Sequence, residues 1–443
     1  MRIFFILYFF LFTVTTVFSQ SEFKIDSPKK RVVIPFKLIN NLIFIPIEVN
    51  GEPLTFLLDT GVEETILFSL DDKEQINFFH IEQLKLKGLG SSEAIDAYKS
   101  SKNKLNVNGF VDLEHEIYIV LDQEFNFSSQ VGIPVNGIIG YHFFKNHKVA
   151  IDYEHKKLTV YADDNQKIAK RLKRNFKKDS ISLELNKPYY VSVIEQNEKN
   201  FSSKLLLDTG NSDALWIFLN KNTRLKQPEK TIHDFLGRGF SGDIFGLRGR
   251  IKAFNFGNTV FKNPIVTFPD STSVMSVNFV PNRVGSVGGE VLSRFTIVFD
   301  YKNKTIYTSP NGKIHDPFNF NMSGIEVAHA GLEWTKHSYE SRGSQGIKVY
   351  NGTSDERLQD NLQIRFELKP IFKIANIRSN SAAEKAGLKK DDRILRINGR
   401  SAQDLTIEKI NELLKSGEGK TIKMEIERNN STFTYQFQLK SIL

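Results

Sequence analysis

Two stretches of this chain match each other closely: Leu54-Thr55-Phe56-Leu57-Leu58-Asp59-Thr60-Gly61 and Ser203-Lys204-Leu205-Leu206-Leu207-Asp208-Thr209-Gly210. In each, an apolar run ends on Asp-Thr-Gly and β-rich sequence follows. One such triplet says little, because Asp and Gly are ordinary turn residues after a strand. The surroundings repeat as well. Gly137-Ile138-Ile139-Gly140 starts 78 residues after Asp59, and Gly285-Ser286-Val287-Gly288 starts 77 residues after Asp208. Asp152, followed by Tyr153, stands 93 residues after Asp59; Asp300, followed by Tyr301, stands 92 after Asp208. Three landmarks thus keep register to one residue over about ninety, so the chain holds two copies of one module, each presenting one Asp-Thr-Gly.

The paired modules resemble the lobes of pepsin-like and retroviral aspartic proteases over about residues 25–315. The resemblance implies a mainly β fold with two pseudo-symmetric, acid-protease-like β-barrel lobes, at 25–165 and 179–312. It makes Asp59 and Asp208 the catalytic pair and Thr60, Gly61, Thr209 and Gly210 the residues that support it. It also implies that Ile138-Ile139-Gly140, and less perfectly Ser286-Val287-Gly288, cross behind the two loops. A glycine-bearing flap is expected over the cleft from Gly88, Leu89 and Gly90 in lobe one, and from Gly239, Phe240 and Ser241 in lobe two. A plain surface hairpin is the alternative in lobe one.

At 443 residues the chain has length for two or three domains. Its 60 basic and 51 acidic residues give a formal charge of +9 with no basic stripe among aromatics, so nucleic acid is not an expected partner. Met1-Arg2 precedes an apolar block, Ile3 to Phe12, and small residues follow at Val17 and Ser19. This reads as a signal peptide over 1–19, cleaved after Ser19, and hence as export to a periplasm or the exterior. A retained anchor helix is the other reading, but the block is short for a span of ~20 residues. There is no cysteine, so an exported chain has no disulfides, no lipidated cysteine and no thiol nucleophile. The abundance of Phe, Ile, Lys and Asn suggests an AT-rich bacterial genome.

Along the chain, Arg31–Phe36 and Leu42–Val49 read as strands, with Asn50-Gly51 as a hairpin turn. Lys167–Lys178 is a basic connection between lobes, read as a solvated face. After Pro310 and Gly312 a different unit begins. Ser381-Ala382-Ala383-Glu384-Lys385-Ala386-Gly387-Leu388 is a short helix with a Gly stop, and Asp392-Arg393-Ile394-Leu395-Arg396-Ile397-Asn398-Gly399 is a strand into a turn. This resembles a PDZ domain, at 320–443, of α+β build. The resemblance implies a peptide or protein ligand and a carboxylate-binding loop, for which Gly331-Leu332-Glu333-Trp334 is the nearest match.

The chemistry follows from the pair. Two carboxylates held together cannot both ionise easily, so they share a proton, and one can act as base toward water while the other acts as acid. The expected function is an aspartic endopeptidase acting on polypeptide without metal or cofactor. Because one chain carries both loops, a monomer suffices. Position 62 is Val and position 211 is Asn, where pepsin-like enzymes place a hydroxyl donor to the catalytic Asp; its loss should raise the dyad's pKa values and move the optimum to mildly acidic or neutral pH. Two other readings stay open. One is an inactive peptide-binding scaffold. The other is a serine protease with Ser241 in Gly239-Phe240-Ser241-Gly242 and His80 as its base, which leaves both Asp-Thr-Gly copies unexplained. Glu326-Val327-Ala328-His329, a lone Glu-x-x-His, reads as ordinary surface.

Overall fold

The structure is a computed structural model that describes residues 22–70, 76–86, 95–120, 127–219, 223–239, 242–274, 279–340 and 362–443. It is mainly β, with four sheets among the described residues. Residues 24–139 supply the sheet of lobe one, and residues 182–287 that of lobe two. The local causes are plain in the first hairpin. Leu42–Val49 and Glu52–Leu58 are rich in β-branched and large apolar residues, and Asn50 and Gly51 take φ of 50° and 98° to turn between them.

A third sheet joins the lobes. Lys148–Asp152 lies antiparallel to Phe295–Asp300, with Lys148 opposite Asp300 and Asp152 opposite Thr296. Lys157–Tyr161 and Arg31–Pro35 extend it on one side, Thr305–Pro310 and Lys177–Ser180 on the other. The two repeated Asp-Tyr dipeptides therefore flank the lobe junction, with Tyr153 and Tyr301 fully buried. The basic run between lobes is a helix, Gln166–Asn175, capped by the Asn165 side chain. It packs Ile168 and Leu172 onto Ala150 and Val298 and leaves Lys170, Arg171, Lys173 and Arg174 exposed.

The carboxy-terminal unit forms its own sheet from Ile325–Glu340, Leu362–Ile377, Arg393–Ile397, Thr421–Arg428 and Ser431–Gln438, with a short strand at Arg400–Ser401. Its helices are Ala382–Ala386, capped by Ser381 and stopped by Gly387 at φ 104°, and Ile407–Leu414, capped by Thr406. One expectation is corrected here. Gly331-Leu332-Glu333-Trp334 is not a loop at the head of a strand but lies within the long strand, at a bulge between His329 and Leu332. Gly331 takes φ 102°, which a bulge accepts and a side chain resists. Leu332 and Trp334 are 56% and 68% exposed. The segment that leads into the strand is Asn321–Gly324, where Asn321 Oδ1 accepts from Ser323 N and Gly324 N and Met322 N donates to Leu414 O.

This unit is packed onto both lobes. Gly132 of lobe one leaves room for Ile407, since a Cβ there would stand 3.5 Å from the Ile407 side chain. Asn411 Nδ2 donates to Asn40 Oδ1 at 3.1 Å, and Arg378 Nη1 to Asp234 Oδ2 of lobe two at 3.2 Å. One buried apolar cluster has members from Phe23 to Leu439 and takes in both lobes and the carboxy-terminal unit. Among the described residues no helix is long and apolar enough to cross a membrane.

Candidate active site

Each Asp-Thr-Gly sits where a buried strand ends. Glu52–Leu58 delivers Asp59, and Lys199–Leu207 delivers Asp208. Gly137–Ile139 runs parallel to Phe56–Leu58 and antiparallel to Ile66–Leu67, so it threads behind the first loop. Arg283–Val287 does the same against Lys204–Leu207 and Leu215–Ile217. The crossings are tied by equal bonds: Asp59 N to Ile139 O and Asp208 N to Val287 O, both 2.9 Å. The glycines that follow permit the approach. A Cβ on Gly140 would stand 2.2 Å from Val62 O, and one on Gly288 2.3 Å from Asp213 O.

The loops meet as a two-fold pair. Thr60 N donates to Thr209 Oγ1 and Thr209 N to Thr60 Oγ1, both at 3.0 Å. Each hydroxyl then donates across the junction, Thr60 to Leu207 O at 2.6 Å and Thr209 to Leu58 O at 2.8 Å. Both threonines are buried, so every backbone and hydroxyl donor of this lattice has its partner. The Asp59 and Asp208 carboxyls stand side by side: a Cβ on Gly61 would lie 3.0 Å from an Oδ1 of each. Gly61 N donates to Asp59 Oδ1 at 2.6 Å and Gly210 N to Asp208 Oδ1 at 3.2 Å. Gly210 is packed so tightly that a Cβ would fall 2.2 Å from the Asp59 carboxylate carbon.

Burial pushes the Asp59 carboxyl up to about 7, and the neighbouring Asp208 charge adds to it. Asp208 is also raised by burial, but Arg283, Gly210 N and Lys187 act the other way. Neither loop supplies a further side-chain donor. Val62 has none, and Asn211 turns its amide to Ser286 Oγ at 3.3 Å and to Asp213 N at 2.9 Å rather than to Asp208.

Reading the sequence missed several residues that hold this site. Arg283 is clamped with its guanidinium 5.1, 5.2 and 5.9 Å from the rings of Phe218, Phe279 and Tyr189, and its Nε donates to Gly285 O. Its place two residues before Gly285 was the available signal. Asp213 anchors a buried ion network, and its position five residues after Asp208 matches Glu64 after Asp59. In lobe one the brace is different: Thr65 Oγ1 pairs with His115 Nε2 at 2.7 Å and His115 Nδ1 with Asp112 Oδ2 at 2.8 Å, all buried. Asn186 Nδ2 of lobe two reaches Glu63 Oε1 at 2.6 Å.

The flap residues are only partly placed. Gly88, Leu89, Gly90, Phe240 and Ser241 lie outside the described residues. Glu82–Leu86 pairs with Ile95–Val107, and Thr231–Gly239 with Gly242–Arg250, Gly239 standing opposite Gly242. His80 is exposed in lobe one. Glu326 is not ordinary surface: it is half-buried, and burial and then Asp234 push its carboxyl up to about 7. It lines a cavity of about 1000 Å³ walled by lobe one, the Thr231–Arg250 hairpin and the carboxy-terminal unit, which neither Asp59 nor Asp208 lines. Among the described residues no three His, Asp or Glu side chains gather as a metal site.

Comparison with known proteins adds two family matches. Residues 45–143 match the family model described as aspartyl protease, and residues 373–428 that described as PDZ domain. The first span contains the Asp59 loop and its crossing strand; the Asp208 loop lies beyond it. Among solved structures, the aspartic proteinase from Irpex lacteus is similar at 13% identity, over 65% of this chain and 100% of that one, with a TM-score of 0.40. No curated protein matches the chain.

Proposed function

We propose that this protein, which joins an aspartyl protease unit to a PDZ domain, is an endopeptidase that hydrolyses peptide bonds with a water held between Asp59 and Asp208. The observation that carries the reading is the carboxyl pair, set side by side at the Gly61 turn and gripped by the reciprocal Thr60–Thr209 bonds. The pair titrates as a unit. Arg283 favours charge on Asp208, so the shared proton is biased toward Asp59. Asp208 then takes the proton of the attacking water while Asp59 protonates the carbonyl oxygen, and the roles reverse as the leaving amine is protonated. No metal or covalent intermediate is required.

The same reading divides the chain into lobes at 25–165 and 179–312 and a PDZ domain at 320–443, preceded by a signal peptide at 1–19 that sends it to a periplasm or the exterior. Polypeptide is the substrate, and the site is complete in a monomer because both loops belong to one chain. The test is cleavage of an unfolded protein by the mature chain, with and without pepstatin, beside Asp59→Asn and Asp208→Asn. Turnover should vanish in both variants while peptide binding persists. Cleavage that survives both changes sinks the mechanism, and binding without any turnover in the parent points to a scaffold instead.

A further inference from the structure

The second Asp-Thr-Gly loop is not held by lobe two alone. Asp213 receives Arg248 Nη1 on Oδ1 at 2.7 Å, and Trp216 Nε1 and Thr267 Oγ1 on Oδ2 at 2.8 and 3.1 Å. Burial works against its charge, but Arg248 and these hydrogen bonds outweigh it and hold the carboxyl below the usual range. Arg248 Nε continues to Asp234 Oδ2 at 3.1 Å. The same oxygen accepts from Arg378 Nη1 of the PDZ domain at 3.2 Å. Arg378 is anchored in turn: its Nη2 donates to Asn321 O at 3.0 Å and its backbone N to Gly324 O at 2.7 Å. A line of alternating charges, Asp213, Arg248, Asp234 and Arg378, therefore runs from the loop that opens the PDZ domain to the loop that carries Asp208.

The line is buried. Arg378 and Asp234 are 5% and 9% exposed, and the other two side chains are each 14% exposed. Two positive and two negative groups balance; removing Arg248 or Asp234 leaves Asp213 or Arg378 without its ion partner, and removing either end leaves the line with one unbalanced charge, both unfavourable when buried. At its inner end the line is coupled to the dyad through the backbone. Asp213 N donates to Asn211 Oδ1, Asn211 N to Asp208 O, and Glu290 N to Asp213 O. The Asp213 backbone is thus tied through Asn211 to the turn that presents Asp208.

We infer that Arg378 and Asp234 are positioning residues: the PDZ domain, docked through them, sets the Asp208 loop in its catalytic geometry. The inference rests on the peptidase reading of the dyad. A domain held on only for stability would need none of the links inward from Asp234, yet Arg248 binds Asp234 and Asp213 at once.

The full chain carries its own reporter. It has two tryptophans, Trp216 in the strand that follows the Asp208 loop and exposed Trp334 in the PDZ domain. In a Trp334→Phe background, emission comes from the indole that donates to Asp213. Arg378→Ala should shift that emission and lower kcat about tenfold with KM within twofold. Arg378→Lys, which keeps the charge, should recover part of both, and Asp234→Asn, which keeps the shape, should reproduce the Ala defect. If Arg378→Ala does not fold, Arg378→Lys and Asp234→Asn carry the same two readouts. A lower melting temperature with unchanged Trp216 emission and unchanged kcat would overturn the inference and leave a purely structural dock. If the parent cleaves nothing, the peptidase reading falls by itself, and an unshifted Trp216 spectrum still rejects the coupling.

Discussion

The two Asp-Thr-Gly loops are alike up to Val62 and Asn211 and unlike beyond. Up to there the bonds come in pairs: Val62 N to Asp59 O and Asn211 N to Asp208 O, both 3.4 Å, then Tyr141 N to Val62 O and Gly289 N to Asn211 O. Past them, loop one is braced inside its own lobe by the buried Thr65–His115–Asp112 relay. Loop two is braced by guanidinium groups that reach a different domain. The repeat has kept the parts that hold the carboxyls and let the supports diverge. A two-fold site needs symmetry only where its reacting atoms are held; the outer shell is free to couple one half to something else.

The largest expected effect tests the symmetric part. Asp59→Asn and Asp208→Asn should each lower kcat by about 10³-fold or more, and the double change should cost no more than either alone, because the pair acts as one unit. Unequal losses, with one variant retaining most activity, would break the equivalence of the two loops.

Next comes the titration of the pair. An Asp59 carboxyl raised by burial to about 7 has its folded pKa above the ordinary 3.8. Its contribution to stability is then fully present below about 3.8 and is lost as pH rises through about 7. Asp59→Asn should therefore raise the melting temperature at pH 7.5 and leave it unchanged at pH 3. In the parent, kcat/KM should fall on the alkaline side near pH 7 as the shared proton is lost. A pepsin-like optimum at strongly acidic pH would contradict this, as would an upward shift of the acidic limb in Val62→Ser, whose added hydroxyl should lower it.

A smaller difference separates the two loop glycines. Gly210→Ala drives a Cβ to 2.2 Å from the Asp59 carboxylate, whereas Gly61→Ala brings one to 3.0 Å from Asp208 Oδ1. Overpacking at Gly210 should cost about 1–3 kcal/mol in denaturant unfolding, with a smaller loss at Gly61. Equal losses would mean the loops relax more freely than their packing suggests.

The smallest effect concerns the lobe-one brace. Thr65→Val removes one buried hydrogen bond to His115, at about 1 kcal/mol, and should leave Trp216 emission untouched. A shifted Trp216 spectrum in that variant would show that the two supports communicate.

Much of this architecture was legible in local patterns. Asn50-Gly51 marked its hairpin, and Ser381 with Gly387 marked the ends of a helix, because caps and turns are settled by a few consecutive residues. The Gly331–Trp334 segment misled for the same reason. A glycine before a large apolar residue suits a loop at a strand's head and equally a bulge inside a strand, and only strand pairing distinguishes them.

By itself the sequence determined that one module occurs twice, that each copy ends a buried strand on Asp-Thr-Gly, and that a unit of another kind follows. Periodicity, register and turn chemistry are written in neighbouring residues and survive without coordinates. The tertiary structure alone decided which charges surround the dyad. Asp213, Arg248, Asp234 and Arg378 come from three separate stretches, with Arg378 lying 144 residues from Asp234, and no local pattern ties them together. A buried ion pair is specified by where two distant strands come to rest, and desolvation makes that placement decisive. Arg283 follows the same rule: its spacing from Gly285 is visible in the sequence, but its effect on Asp208 exists only once the crossing strand lies against the loop.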